Sequence, residues 1–138
     1  MSYRHLEHST DAIIEVTAPN LTTAFEVAGK SVVETIIDPS KIEEKTTRHV
    51  SVTGKDLRYL LYNWLEEIII LTITDGFAAR KISVKIDKNH EYRIQAQVFG
   101  EEIDIKKHGF KVEIKSPTFH EMYIQEGEQV TLRYLLDL

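Results

Sequence analysis

The chain has 138 residues, 42% of them hydrophobic and 28% charged, with a formal net charge of −5 and a pI near 5.7. That length suits one domain, read as 1–138, with a substantial core; the acidic balance argues against broad attraction to nucleic acid and leaves room only for a local basic patch. The absence of cysteine excludes disulfides, zinc–thiolate sites and cysteine nucleophiles.

In chain order, Tyr3 to His8 reads as a short strand, interrupted by Ser9-Thr10-Asp11. Ala12 to Thr17 is β-branched and strand-like, which puts Asp11 at a strand start or in a tight connection. Pro19-Asn20 marks a helix entry with Asn20 as N-cap. Leu21, Ala24, Phe25, Ala28, Val32 and Ile36 then share one helical face, and Asp38-Pro39 stops the helix. Ile42 to Thr53 is polar and β-branched, as in an exposed strand. Asp56 caps a second helix whose wide apolar stripe runs from Leu57 through Trp64 to Leu71 and ends at Thr74-Asp75-Gly76.

The remainder alternates as strands do. Ile82, Val84 and Ile86, then Tyr92, Ile94, Ala96 and Val98, flank a turn at Lys88-Asn89, the pattern of a hairpin. The polar faces of this hairpin suggest a part of the sheet open to solvent. Gly100 to Gly109 is charged and reads as a loop or a weakly packed element. Phe110 to Lys115 predicts a strand, Ser116-Pro117 a kink, and Phe119 to Ile124 a further strand. In the terminal strand Val130, Leu132, Tyr134, Leu136 and Leu138 share one face. These layers predict an α/β (α+β) fold: a mixed, largely antiparallel sheet with two amphipathic helices packed on one face. The longest apolar run, Ile68 to Leu71, is far too short to cross a bilayer, and Met1 to His5 carries no apolar signal region. A cytoplasmic protein without a membrane partner is the expectation.

The end of the chain is chemically unusual. Asp137 lies in an apolar strand, on the face opposite Leu136 and Leu138, beside the terminal carboxylate of Leu138. Adjacent anions repel, more strongly where water is scarce, and a cation offsets them. Asp11, another acid interrupting apolar sequence, is the candidate third member. An all-oxygen set of Asp11, Asp137 and Leu138 suits Ca²⁺ or Mg²⁺, with waters completing the shell. The alternative is an Asp137 in water and an Asp11 that caps a turn. His5, His8 and His120, with Glu7 and Glu121, offer a second cluster for zinc or acid–base work, but none has a spacing of known specificity. Gly54-Lys55 resembles no phosphate loop, and Trp64 on the apolar stripe reads as core.

Four stretches together resemble the archease family. Leu6-Glu7-His8-Ser9-Thr10-Asp11 is similar to its Glu-His-Thr-Ala-Asp signature, and Leu60-Leu61-Tyr62-Asn63-Trp64-Leu65-Glu66-Glu67 to its Leu-Leu-x-x-Trp-Leu-x-Glu helix. Ile114-Lys115-Ser116-Pro117-Thr118-Phe119-His120 is similar to Ile-Lys-Ala-x-Thr-Tyr-His, and the terminal Leu-Leu-Asp-Leu completes the set. Thr10, Ser116 and Phe119 depart from the family pattern, and Phe119 lacks the tyrosine hydroxyl. The resemblance implies an activator of the RtcB-type RNA ligase of tRNA splicing, which promotes ligase guanylylation and multiple turnover and broadens its nucleotide use. It implies a protein that is not itself an enzyme and has no catalytic residue of its own, with RNA met only through the ligase. The family's metal site falls on Asp11, Asp137 and Leu138, with calcium the usual ion; Lys115, His120 and His8 are second-rank functional candidates. A small metal-dependent phosphoesterase and a binding module with a purely structural metal are the competing readings.

Overall fold

The computed structural model describes residues 2–6 and 11–138. Among the described residues, seven strands and three α-helices follow in the order β1 (Ser2–Leu6), β2 (Asp11–Ala18), α1 (Leu21–Ile36), β3 (Thr46–Gly54), α2 (Leu57–Ile69), β4 (Phe77–Lys88), β5 (Tyr92–Glu102), α3 (Ile105–His108), β6 (Ser116–Gln125) and β7 (Val130–Asp137). The α+β class and the two amphipathic helices are as the sequence predicts. The strands divide into two antiparallel sheets, ordered β1-β2-β7-β6 and β3-β5-β4. The helices form a layer between them: α1 touches β2 and β7 on one side and β4 on the other, while α2 touches β6 on one side and β3 and β5 on the other. This is why both apolar stripes are wide, since a helix between two sheets has two directions in which to bury side chains.

Local chemistry sets each boundary. The Asn20 side chain accepts the Thr23 N–H at 2.8 Å, and that of Asp56 accepts the Tyr59 N–H at 2.9 Å. Each satisfies one of the donors that a helix start leaves orphaned. After α1 the backbone turns extended at Ile37, and Asp38-Pro39 leads into a single 3₁₀ turn, Pro39–Lys41. The last turn of α2 widens into a π-helical turn, Ile70–Thr74, where the Thr72 hydroxyl donates to the Ile68 carbonyl at 2.8 Å. Gly76, at φ +66°, takes the chain out of it and into β4. Trp64 is fully buried at the helix–helix contact and donates its indole N–H to the Phe25 carbonyl at 2.8 Å. Gly29 of α1 makes room for it: a Cβ there would stand 3.0 Å from the indole.

Two elements differ from the sequence reading. Phe110 to Lys115 alternates like a strand but forms none. Its backbone bonds to a helix end instead, with the Lys111 N–H donating to the Ile36 carbonyl at 2.7 Å. Alternation signals burial of one side, and here Ile114 alone is buried, while Phe110 remains 52% exposed. The charged stretch Gly100 to Gly109 is more ordered than a loop. β5 runs into it, and α3 ends in a buried His108. His108 Nδ1 accepts the Asp104 N–H, so Nε2 carries the proton and donates to Glu101, each at 2.9 Å. Glu101 also accepts from Lys107 and from the Glu43 N–H. The Lys107 ammonium, before the Glu43 amide and His108, holds the Glu101 carboxyl well below the usual carboxylate range.

Candidate functional site

The site grows out of the β1-β2-β7-β6 sheet. Along β2 the residues Ala12, Ile14, Val16 and Ala18 point to the helices, as do Val130, Leu132, Tyr134 and Leu136 of β7, and all are buried. The intervening residues therefore stand on the outer face. Antiparallel pairing sets Asp11 directly opposite Asp137, and Ser116 of β6 opposite Asp137 from the other side. Residues directly opposite in such a ladder project to the same face with Cβ atoms about 5 Å apart. One row across three strands thus carries Asp11, Asp137 and Ser116, with both acids half-buried. The Lys115 N–H donates to the Asp137 carbonyl at 2.7 Å and extends the pairing to the end of β7. Leu138 is half-buried and packs against the core.

Glu15, a further acid on this face, has a different fate. Glu15 of β2 pairs across the β2–β7 ladder with Arg133 at 2.7 Å and across the β1–β2 ladder with Arg4 at 3.1 Å. Hydrogen bonding from Arg133 first, and then from Arg4, lowers the Glu15 carboxyl below its ordinary range. Glu15 is thereby committed to two guanidiniums. Between it and the acid row lie Ile13 and Leu135, paired with each other and buried. An apolar row thus separates Glu15 and its two guanidiniums from the juxtaposed Asp11 and Asp137.

The sequence-predicted residues are distributed as follows. Asp11 and Asp137 come together, and Leu138 adjoins them in sequence. The Lys115 backbone anchors Asp137, while its side chain is exposed. His120 is also exposed and sits apart from the acid row, in a break of the β6–β7 register between Thr118 and Tyr123. Its neighbour Phe119 stacks on Tyr62 with ring centroids 4.6 Å apart, and Arg58 lies over the Phe119 ring. Glu121, at φ +57°, carries the backbone through the bulge. His8 lies outside the described residues. Among the described residues no group of three or more His, Asp or Glu gathers at metal-binding distance. Asp11 and Asp137 offer a hard divalent ion two carboxylates, and among the described residues the Ser116 hydroxyl and nearby backbone carbonyls are further oxygen donors, with water able to complete the shell. Sequence reasoning overlooked Ser116, because its place opposite Asp137 depends on strand register, which no local signal gives.

Fold and site together define a class: a two-sheet α+β protein with a helical layer inside and a pair of acids juxtaposed at one sheet end. The chain belongs to the archease family, since the model described as "Archease protein family (MTH1598/TM1083)" matches residues 3–138. It is 37% identical to Protein archease of Pyrococcus abyssi over 125 residues, 90% of this chain and 88% of that one. It is 36% identical to Protein archease of Pyrobaculum neutrophilum, covering 99% of this chain and 95% of that one. The solution structure of Methanobacterium thermoautotrophicum protein 1598 superposes with a TM-score of 0.84 at 31% identity, over 99% of both chains. Among the described residues no helix is long and apolar enough to cross a membrane.

Proposed function

We propose that this chain is an accessory activator of an RtcB-type RNA ligase, promoting its guanylylation and repeated turnover. The observation that supports the reading is the cross-strand pair Asp11–Asp137 in a chain of the archease family. Two carboxylates on one row at a sheet end present hard anionic oxygens of the kind a divalent cation takes. Asp11, Asp137 and Leu138 would hold Ca²⁺, or Mg²⁺, as hard oxygen donors. When bound, such an ion supplies positive charge that can offset phosphate negativity during nucleotidyl transfer.

The chain's own residues then have separate tasks. Asp11 and Asp137 present anionic oxygens on the outer face, and the Lys115 amide fixes the end of β7 that carries Asp137. The Arg4–Glu15–Arg133 group keeps the neighbouring carboxylate out of competition for the cation. His120 and the Lys115 side chain, both exposed, are candidates for contact with the ligase. The chain itself performs no chemistry in this reading, acts in the cytoplasm and serves tRNA processing.

The test is ligase guanylylation, followed with radiolabelled GTP, with and without substoichiometric amounts of this chain. Stimulation that Asp137→Asn abolishes is expected. Full stimulation by a correctly folded Asp137→Asn variant would overturn the role of the acid pair. Phosphoester turnover by the isolated chain would favour a hydrolase instead.

A further inference from the structure

We propose that the solvent face of the β3-β5-β4 sheet binds single-stranded RNA directly. This goes beyond the activator reading, which requires no RNA contact by this chain, and it rests on a different sheet from the acid pair.

The helices cover only one side of this sheet. On the other side, cross-strand register aligns rows of polar residues. One row joins Thr47, Phe99 and Lys81; the next His49, Gln97 and Ser83; the third Ser51, Gln95 and Lys85. The last joins Thr53, Arg93 and Asp87. All twelve are exposed except Thr53 and Phe99, which are half-exposed. A hollow of about 220 Å³ runs along His49, Ser83, Lys85, Gln95 and Gln97.

Charge singles this face out. It carries three cations and one anion, a net +2 in a chain of −5, which leaves −7 on the rest of the molecule. Lys81, Lys85 and Arg93 enter none of the ion pairs formed among the described residues. Lys81 and Lys85 project from the same edge strand about 13 Å apart at the rise of a strand, which suits a polyanion laid along β4.

The uncharged residues decide between a nucleic acid and an acidic protein. A protein interface needs apolar or aromatic anchors at its centre. The exposed large hydrophobics Tyr59, Ile70, Ile105, Phe110 and Tyr123 all lie elsewhere. What this face offers is the side-chain amides of Gln95 and Gln97, able to donate and accept at once, hydroxyls at Ser51 and Ser83, and the Phe99 ring with the Lys81 ammonium 5.4 Å from its centroid. Amides and hydroxyls match the edges of unpaired bases and the ribose 2′-OH, a ring on an open sheet is a stacking platform, and cations take the phosphates.

The experiment is fluorescence anisotropy of the full chain with a labelled mixed-sequence oligoribonucleotide of about 12 nucleotides, a length within the span of single-strand sites. With three phosphate contacts and about 0.7 counterions released per contact, affinity falls roughly 20-fold when salt rises fourfold. Lys85→Gln/Arg93→Gln cuts that to about threefold. Gln95→Ala/Gln97→Ala weakens binding without altering the salt slope. Lys106→Gln, an exposed lysine off this face, and Asp137→Asn leave binding unchanged. These are surface substitutions, and circular dichroism confirms the fold of each. Absence of binding at low salt, equal loss with Lys106→Gln, or equal displacement by polyglutamate would overturn the proposal. Loss of RNA binding in Asp137→Asn would overturn its independence from the acid site, whereas loss of ligase activation alone in that variant would leave it standing.

Discussion

Asp137→Asn provides a thermodynamic test of the acid pair that needs no ligase. The substitution keeps the shape of the side chain and removes one of two charges that stand opposite each other in the β2–β7 ladder. At about 5 Å, two carboxylates repel by roughly 0.8 kcal/mol in bulk water and about 3 kcal/mol at an effective dielectric of 20. Half-buried side chains at a sheet end fall toward the lower figure, so about 1 kcal/mol is the expected relief. For a chain of this length that corresponds to about 3 °C in Tm. In chelator the variant therefore melts about 3 °C above the parent. Calcium reverses the order. At a hundred times Kd, an ion bound only to the folded state stabilises by about 2.7 kcal/mol, or roughly 9 °C, and the variant loses most of that gain. The assay is thermal unfolding by circular dichroism in chelator and in calcium. An Asp137→Asn protein that keeps the whole calcium-induced rise, or that melts below the parent in chelator, would refute the reasoning.

Three more predictions follow from the same contacts. Appending a glycine after Leu138 moves the chain-end carboxylate away from Asp137; calcium affinity is expected to fall about tenfold by isothermal titration, with Tm in chelator unchanged. The depressed Glu101 carboxyl contributes stability that is present above its ordinary value of about 4.5 and lost as pH falls below it. Glu101→Gln should therefore lower stability at pH 7 and flatten the acid limb of a denaturation series run from pH 7 to about pH 3. Tyr134→Phe removes a buried hydroxyl that bonds Ser31 Oγ at 2.5 Å, and a loss of about 1 kcal/mol, or some 3 °C, is expected by urea or thermal unfolding.

What the sequence made legible was whatever is encoded locally. Asn20 and Asp56 stand where capping chemistry requires them, and the alternation around Lys88-Asn89 gave the β4–β5 hairpin. Asp137 drew notice because a charge in an apolar strand demands a partner. What remained hidden depends on pairing across distance. A strand carries no label for the sheet it joins, so the division into two sheets was not visible in the pattern of faces. The false strand at Phe110 to Lys115 has the same origin: its alternation was real, but the carbonyl it meets belongs to the end of α1. His108 and Glu101 fall in the charged stretch Gly100 to Gly109, whose composition reads as a loop or a weakly packed element. Only α3, folding back against the end of β5, brings them together in the interior.

Trp64 is the single tryptophan of the chain, and its position makes it a native optical probe. Its indole is sealed between α1 and α2, tied to the Phe25 carbonyl and pressed against Gly29. Its emission is therefore expected to be blue-shifted when folded and to move red when the helical layer opens. Because it sits in the middle layer while the acid row lies on an outer face, its signal separates two kinds of event. A cation that merely settles between Asp11 and Asp137 leaves the emission where it was. One that repacks the molecule displaces it, and a stopped-flow trace would time that rearrangement without any added label.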